Sequence, residues 1–114
     1  MEKNYIARMR EKVGHEGMIF VSAFGVLWND AHDAILLEKR WDSDEGWGFP
    51  GGYLEYGDSP MQAVTREFKE ETNLDVKVTR MLGIATNEVK KILGVMRKKP
   101  LELVLKLSML VVRC

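Results

Sequence analysis

A glycine loop runs straight into a helix that carries its own start and stop signals, and this pairing constrains the 114-residue chain more than anything else in it. The loop is Gly51-Gly52-Tyr53-Leu54-Glu55-Tyr56-Gly57-Asp58. Ser59 suits the N-cap, Pro60 the first helical position, and Gln62 completes a Ser-x-x-Gln capping box. Asn73 can take the left-handed backbone that closes a helix. These signals predict a helix over about Pro60 to Thr72. At about 100° per residue, Met61, Val64 and Phe68 form an apolar stripe aimed at a core. Glu67, Glu70 and Glu71 share a neighbouring stripe, with the small Ala63 one turn earlier.

The glutamate stripe is locally unfavourable. Like charges at this spacing cost roughly 0.2–0.5 kcal/mol per pair, and acids near a helix C-terminus oppose its dipole. Arg66 is expected to offset part of this by pairing with Glu70 at i+4. A local rule broken without local gain marks a candidate functional site. Mg²⁺ or Mn²⁺ takes carboxylate and phosphate oxygens and would turn the repulsion into coordination.

The segment Gly52 to Leu74 resembles the Nudix box, G-x5-E-x7-R-E-U-x-E-E-x-G-U with U a bulky aliphatic residue. Gly52, Arg66, Glu67, Glu70, Glu71 and Leu74 match. Asp58, Phe68 and Asn73 depart from it. Phe68 keeps an apolar knob and Asn73 keeps access to left-handed angles. Asp58 is one methylene shorter than the glutamate it replaces, so that glutamate's contacts are the ones in question. Trp47-Gly48-Phe49-Pro50-Gly51-Gly52 and the N-terminal Tyr5 to Gly14 extend the resemblance to a MutT-like, ADP-ribose-pyrophosphatase-like bacterial subgroup, over roughly Asn4 to Leu82.

The resemblance implies an α/β (α+β) sandwich: a mixed, largely antiparallel sheet with the box helix against one face. It implies metal-dependent hydrolysis of a phosphoanhydride in a nucleoside diphosphate linked to another group, with nucleoside triphosphates and ADP-ribose-like compounds both open as substrates. Glu70 and Glu71, with the backbone carbonyl of Gly51, would hold the cation. Glu67 would be a further ligand or the base that activates water. Arg66 would orient a glutamate, and Gly51 and Gly52 would line the substrate. The alternative is a nucleotide-binding module without turnover. Asp58 favours that reading, and the intact Arg66, Glu67, Glu70 and Glu71 oppose it.

The rest of the chain sets the frame. Its length suits one domain, 1–114, with one core. Seventeen basic residues balance seventeen acidic ones, so no global field attracts nucleic acid or a membrane surface. The single cysteine, Cys114, excludes an intrachain disulfide, and with no signal-like segment the expected location is the cytoplasm. Apolar spacing predicts an N-terminal helix over about 3–13, ended by Gly14. Met18 to Trp28 reads as a strand buried on both faces, with Trp28 in the core. Ala34 to Lys39 reads as its hairpin partner, and Leu74 to Ala85 as one or two short strands. Asn87 to Lys99 fits a helix or one arm of a hairpin, and Leu101 to Val112 is a long strand. The family's usual C-terminal layer is then expected to be lacking unless Asn87 to Lys99 supplies it. A fragment, or a second copy supplying cover by strand exchange, is the expectation.

Other residues have plainer readings. Glu88 and Glu102 could add a carboxylate but are expected at the surface, as are His15 and His32. Trp47 is expected to pack. The basic run Lys90, Lys91, Arg97, Lys98 and Lys99 reads as a solvated edge.

Overall fold

The computed structural model describes residues 4–39, 46–86 and 102–114. The open question of helix or hairpin at Asn87 to Lys99 lies outside these residues, as do Glu88 and the basic run. The elements are α1 (Tyr5–Val13), β1 (Met18–Leu27), β2 (Glu38–Lys39), β3 (Trp47–Gly48), β4 (Gly51–Tyr53), α2 (Pro60–Thr72), β5 (Val76–Thr86) and β6 (Glu102–Arg113). Among the described residues, no helix is long and apolar enough to cross a membrane.

Four strands form a mixed sheet in the order β4-β1-β6-β5. β1 runs antiparallel to β4 and parallel to β6, and β5 runs antiparallel to β6. The fold is the expected α+β class, with antiparallel pairings in the majority. Register explains the core. The β1–β6 pairing sets Ala23 beside Leu107, Gly25 beside Met109 and Leu27 beside Val111. Alternation puts this whole row on one face. α2 lies across it, and Val64 and Phe68 are fully buried there. Gly25 permits the close approach: a Cβ on it would meet Phe68 Cε2 at 2.5 Å and Val64 Cγ1 at 3.1 Å. Burying a side chain such as Phe68 stabilises by about 1.5–3 kcal/mol.

The helix termini follow the sequence reading. Ser59 Oγ accepts from Gln62 N–H, and Gln62 Oε1 accepts from Ser59 N–H at 2.8 Å. Asn73 closes the helix with φ 61°. The apolar stripe is shifted, however. Met61 is 56% exposed, and the buried residues are Ala63, Val64 and Phe68. The sheet sits on the Ala63 side, so Met61 overhangs its edge.

Other expectations need correction. Ala34 to Lys39 starts as the partner of β1, with a bridge between Trp28 and Ile35 and Leu36 N–H donating to Leu27 O. It then leaves, and Glu38 and Lys39 pair with Gly48 and Trp47 in a separate two-stranded ribbon. β5 is one strand, not two. Its register slips at Val78/Arg80 and at Met81/Gly83, and Thr79 Oγ1 donates to Leu110 O beside the first slip. The slips keep Val78, Met81 and Ile84 opposite Val111, Met109 and Leu107 of the buried row. Trp28 is exposed at the rim, stacked on His32, and lines a cleft of about 390 Å³ with Ile35, Leu74 and Arg113. Trp47, expected to pack, is 61% exposed.

β1 is covered unequally on its two faces. Ala23 and Leu27 are buried under α2, while Ser22, Phe24 and Val26 on the other face are half-buried. On that second face Phe20 is buried, with the Tyr53 ring edge-on at 5.9 Å and the Arg10 guanidinium of α1 5.6 Å from its centroid. Phe24 stacks on Phe49 at 5.2 Å.

Candidate active site

β4 and α2 together build the site. Gly51 pairs with Phe24 of β1 and is buried. A Cβ there would collide with the Ala23 carbonyl and the Phe24 backbone, so only glycine lets the loop lie this close to β1. The loop is fastened at both ends. Gly25 N–H donates to Pro50 O at 3.0 Å, and Leu54 N–H donates to Val21 O at 2.9 Å.

Two glutamates of α2 reach this loop. Gly51 N–H donates to Glu71 Oε2 at 3.0 Å. It is thus the N–H of Gly51 that meets a glutamate. Gly52 lies against Glu67: a Cβ on it would stand 2.8 Å from Glu67 Cδ and Oε1. Glu70 is exposed, and its charge acts on Glu67 three residues earlier. Arg66 does not pair with Glu70. Its guanidinium forms a salt bridge to Asp58 and stands 3.5 Å from Glu67 Oε1. A loop carboxylate within reach, itself fixed by the Glu55 N–H at 3.1 Å, outcompetes a solvated partner one turn along the helix. Asp58 therefore makes a definite contact despite its shorter side chain.

The electrostatics divide the site in two. The Arg66 guanidinium holds the Asp58 carboxyl below its usual range, against some burial, and Asp58 in turn raises the Arg66 value. Burial pushes Glu67 up, with a further push from Glu70 and a smaller counter-pull from Arg66. Glu71 is pushed up to about 8, first by burial of its carboxyl and then by a hydrogen bond to the Glu38 carboxyl and that group's charge, while the Gly51 N–H pulls the other way. The residue as a whole still meets solvent.

The predicted residues Gly51, Gly52, Arg66, Glu67 and Glu71 thus lie together, with Glu70 on the solvent side. Glu38 was not singled out in the sequence. The available signal was an acid at an inward position of a short strand, since Leu36 and Glu38 are half-buried while Leu37 and Lys39 are exposed. Among the described residues, no three Asp, Glu, His or Cys side chains converge closely enough to coordinate an ion as they stand. The donor chemistry nonetheless suits a hard divalent cation. Carboxylates crowd beside open glycine backbone, and burial, with neighbouring carboxylates, makes two of them hold protons more tightly than usual. His15 and His32 are exposed and take no part. The Glu102 side chain lies outside the described residues.

Residues 19–98 match the NUDIX domain family model, and the chain belongs to that family. It is 35% identical over 60 residues to YjhB of Bacillus subtilis, by name a provisional ADP-ribose pyrophosphatase, a match spanning 53% of this chain and 27% of that protein. An ADP-ribose pyrophosphatase from Streptococcus suis superposes with a TM-score of 0.58 at 26% identity, over 82% of this chain and 60% of that one. A MutT protein from Methanosarcina mazei superposes with a TM-score of 0.66 at 21% identity, over 83% of this chain and 64% of that one, and shares the fold. The chain therefore spans between about a quarter and two thirds of the length of these relatives.

Proposed function

We propose that the chain is a Mg²⁺- or Mn²⁺-dependent hydrolase of phosphoanhydride bonds in small nucleotides, a nucleoside diphosphate linked to a further group. One observation carries this reading: the Glu67 and Glu71 carboxyls are held against the bare backbone of Gly52 and Gly51. A hydrolase of such a bond needs acidic oxygens beside a surface that lets a phosphate chain come close, and the geometry supports both.

Gly51 and Gly52 would bring the phosphates close to the backbone. Glu71 and Glu70, with Glu67 beside them, would hold the cation. When bound, such a cation neutralises charge on phosphate oxygens and lowers the pKa of a bound water. Glu67 would accept the proton of the attacking water, since burial raises its basicity toward the working pH. Arg66, clamped by Asp58, would hold Glu67 in place from the side. The names of the Bacillus and Streptococcus relatives put ADP-ribose-like compounds first among the substrates to try.

The test is release of phosphate or mononucleotide from a panel of nucleoside triphosphates, ADP-ribose and nucleotide sugars, with Mg²⁺, Mn²⁺ or EDTA. Cation-dependent turnover that disappears in Glu71→Gln is the expected result. A folded chain that binds nucleotides but turns none over would instead be a binding module.

A further inference from the structure

No residue of α1 is buried, so packing into the core is not what places this helix. Named contacts do so instead. The Arg10 guanidinium stands over the Phe20 ring at 5.6 Å, and Tyr5 stacks on Tyr56 at 6.4 Å. Tyr5 N–H donates to Glu55 Oε2 at 2.8 Å. Tyr5 is the first helical residue, so this N–H has no partner within α1. The first turn of α1 carries no acid of its own, and Glu55 brings one to the positive end of its dipole.

Glu55 also opens the turn that carries Asp58. Asp58 N–H donates to Glu55 O at 3.0 Å, and Gly57 between them has φ 92°, as a type II turn requires at its third residue. Glu55 N–H donates to Asp58 Oδ2 at 3.1 Å. The two residues are bonded in both directions, so a shift at one is passed to the other. One end of the turn presents the Glu55 carboxylate to α1. The other presents Asp58 to Arg66, whose guanidinium stands 3.5 Å from Glu67 Oε1.

We propose that Glu55 is a positioning residue of the site: by receiving the N-terminus of α1 it fixes the turn, and through Asp58 and Arg66 it sets the Glu67 carboxylate against Gly52. This rests on the hydrolase reading above, in which Glu67 takes the proton. α1 is then a latch on the reaction, although none of its side chains is at the site.

The experiment measures kcat and KM with the nucleotide of the panel above that the wild type turns over fastest, with thermal unfolding alongside. Tyr5→Pro deletes the donor yet suits the first helical position, and Asn4 before it already has the extended ψ of 171° that proline favours. Tyr5→Ala loses the ring and keeps the N–H. Tyr5→Pro is expected to lower kcat by about tenfold relative to Tyr5→Ala at unchanged KM, less than the roughly 10²-fold that a 1 Å misplacement can cost. Glu55→Ala should match it, and Glu55→Gln, which keeps an acceptor, should recover part of kcat. In an Asp58→Ala background Tyr5→Pro should add no further loss, since both act along one route. Equal kcat in Tyr5→Pro and Tyr5→Ala, beside a clear loss in Glu67→Gln, overturns the proposal and leaves the hydrolase reading intact. Losses that multiply in the Asp58→Ala background overturn it too, as does a loss in Tyr5→Pro that follows its folded fraction. No turnover by the wild type overturns both.

Discussion

Two charged clusters flank the same helix, and they are built on opposite plans. Around Arg66, opposite charges meet. Asp58 accepts from its guanidinium, the Glu55 backbone steadies Asp58, and Glu55 in turn accepts from the Tyr5 N–H at the start of α1 at 2.8 Å. That cluster is complete in itself and ties the loop and both helices together. Around Glu71, like charges meet. Glu38, Glu67 and Glu71 press on one another, eased by the Gly51 N–H at Glu71 and by the Arg66 guanidinium 3.5 Å from Glu67 Oε1. A balanced cluster serves the fold, whereas an unbalanced one is stable only with something added. Mutation should therefore move the two in opposite directions.

The largest effect is expected from the unbalanced side, on activity. Glu67→Gln removes the proton acceptor while keeping its size. kcat should fall by about 10²–10⁴-fold, the usual share of a general base. The unfolding temperature should not fall. A variant that lost activity only in proportion to lost folded protein would move Glu67 into the structural cluster.

The balanced side should respond in stability. Asp58→Ala leaves Arg66, half-buried, without its main partner and with Glu67 at 3.5 Å. Removing a hydrogen bond to a charged group costs about 1.5–3 kcal/mol, and solvent at this site favours the lower end. Urea unfolding reads this directly. Asp58→Glu should retain most of the stability, since the longer acid still carries the charge Arg66 needs. If Asp58→Ala were neutral, the comparison between the clusters would fail at its first term.

The pH dependence separates the clusters by sign. Glu71 and Glu67 bind protons more tightly folded than unfolded. Their contribution is fully present below the unfolded value of about 4.5 and is lost as pH rises through the folded value, about 8 for Glu71. Asp58 has a lowered value, so its contribution is present above the unfolded value of 3.8 and is lost as pH falls below it. Unfolding free energy in EDTA should therefore drop on the acid side through Asp58 and decline again toward pH 8 through Glu71. Glu71→Gln should flatten the second decline and leave the first. A profile unchanged by that variant would deny that the Glu71 carboxyl feels its neighbours.

How much of this could be read beforehand follows the same division. The helix was legible because its signals are local: Ser59, Pro60, Gln62 and Asn73 act within one turn of where they stand. The glutamate cluster was legible because i, i+3 and i+4 spacing fixes a helix face without tertiary knowledge. The partner of Arg66 was not, because choosing Asp58 over Glu70 depends on where the loop folds back. Met61 was misplaced for a similar reason, since which side of the stripe is buried depends on where the sheet lies. Glu38 was invisible because its contact with Glu71 spans a strand, a ribbon and a helix. The slips in β5 also depend on a partner strand far along the chain.

The smallest expected effect tests the comparison most sharply. Glu70 sits on the solvent side of the cluster, in the last turns of α2. Its charge opposes the helix dipole and repels Glu67. Without a cation, Glu70→Gln should stabilise the protein by about 0.2–0.5 kcal/mol, the value of one relieved like-charge pair. With saturating Mn²⁺ the order should reverse. Binding adds stability in proportion to the logarithm of occupancy, and the variant binds less tightly. The two unfolding curves must therefore cross as Mn²⁺ is added. A variant more stable at every concentration would make Glu70 a surface acid with no share in the site. A variant less stable even in EDTA would mean that its charge is balanced after all, and that the boundary between the two clusters runs between Glu70 and Glu71.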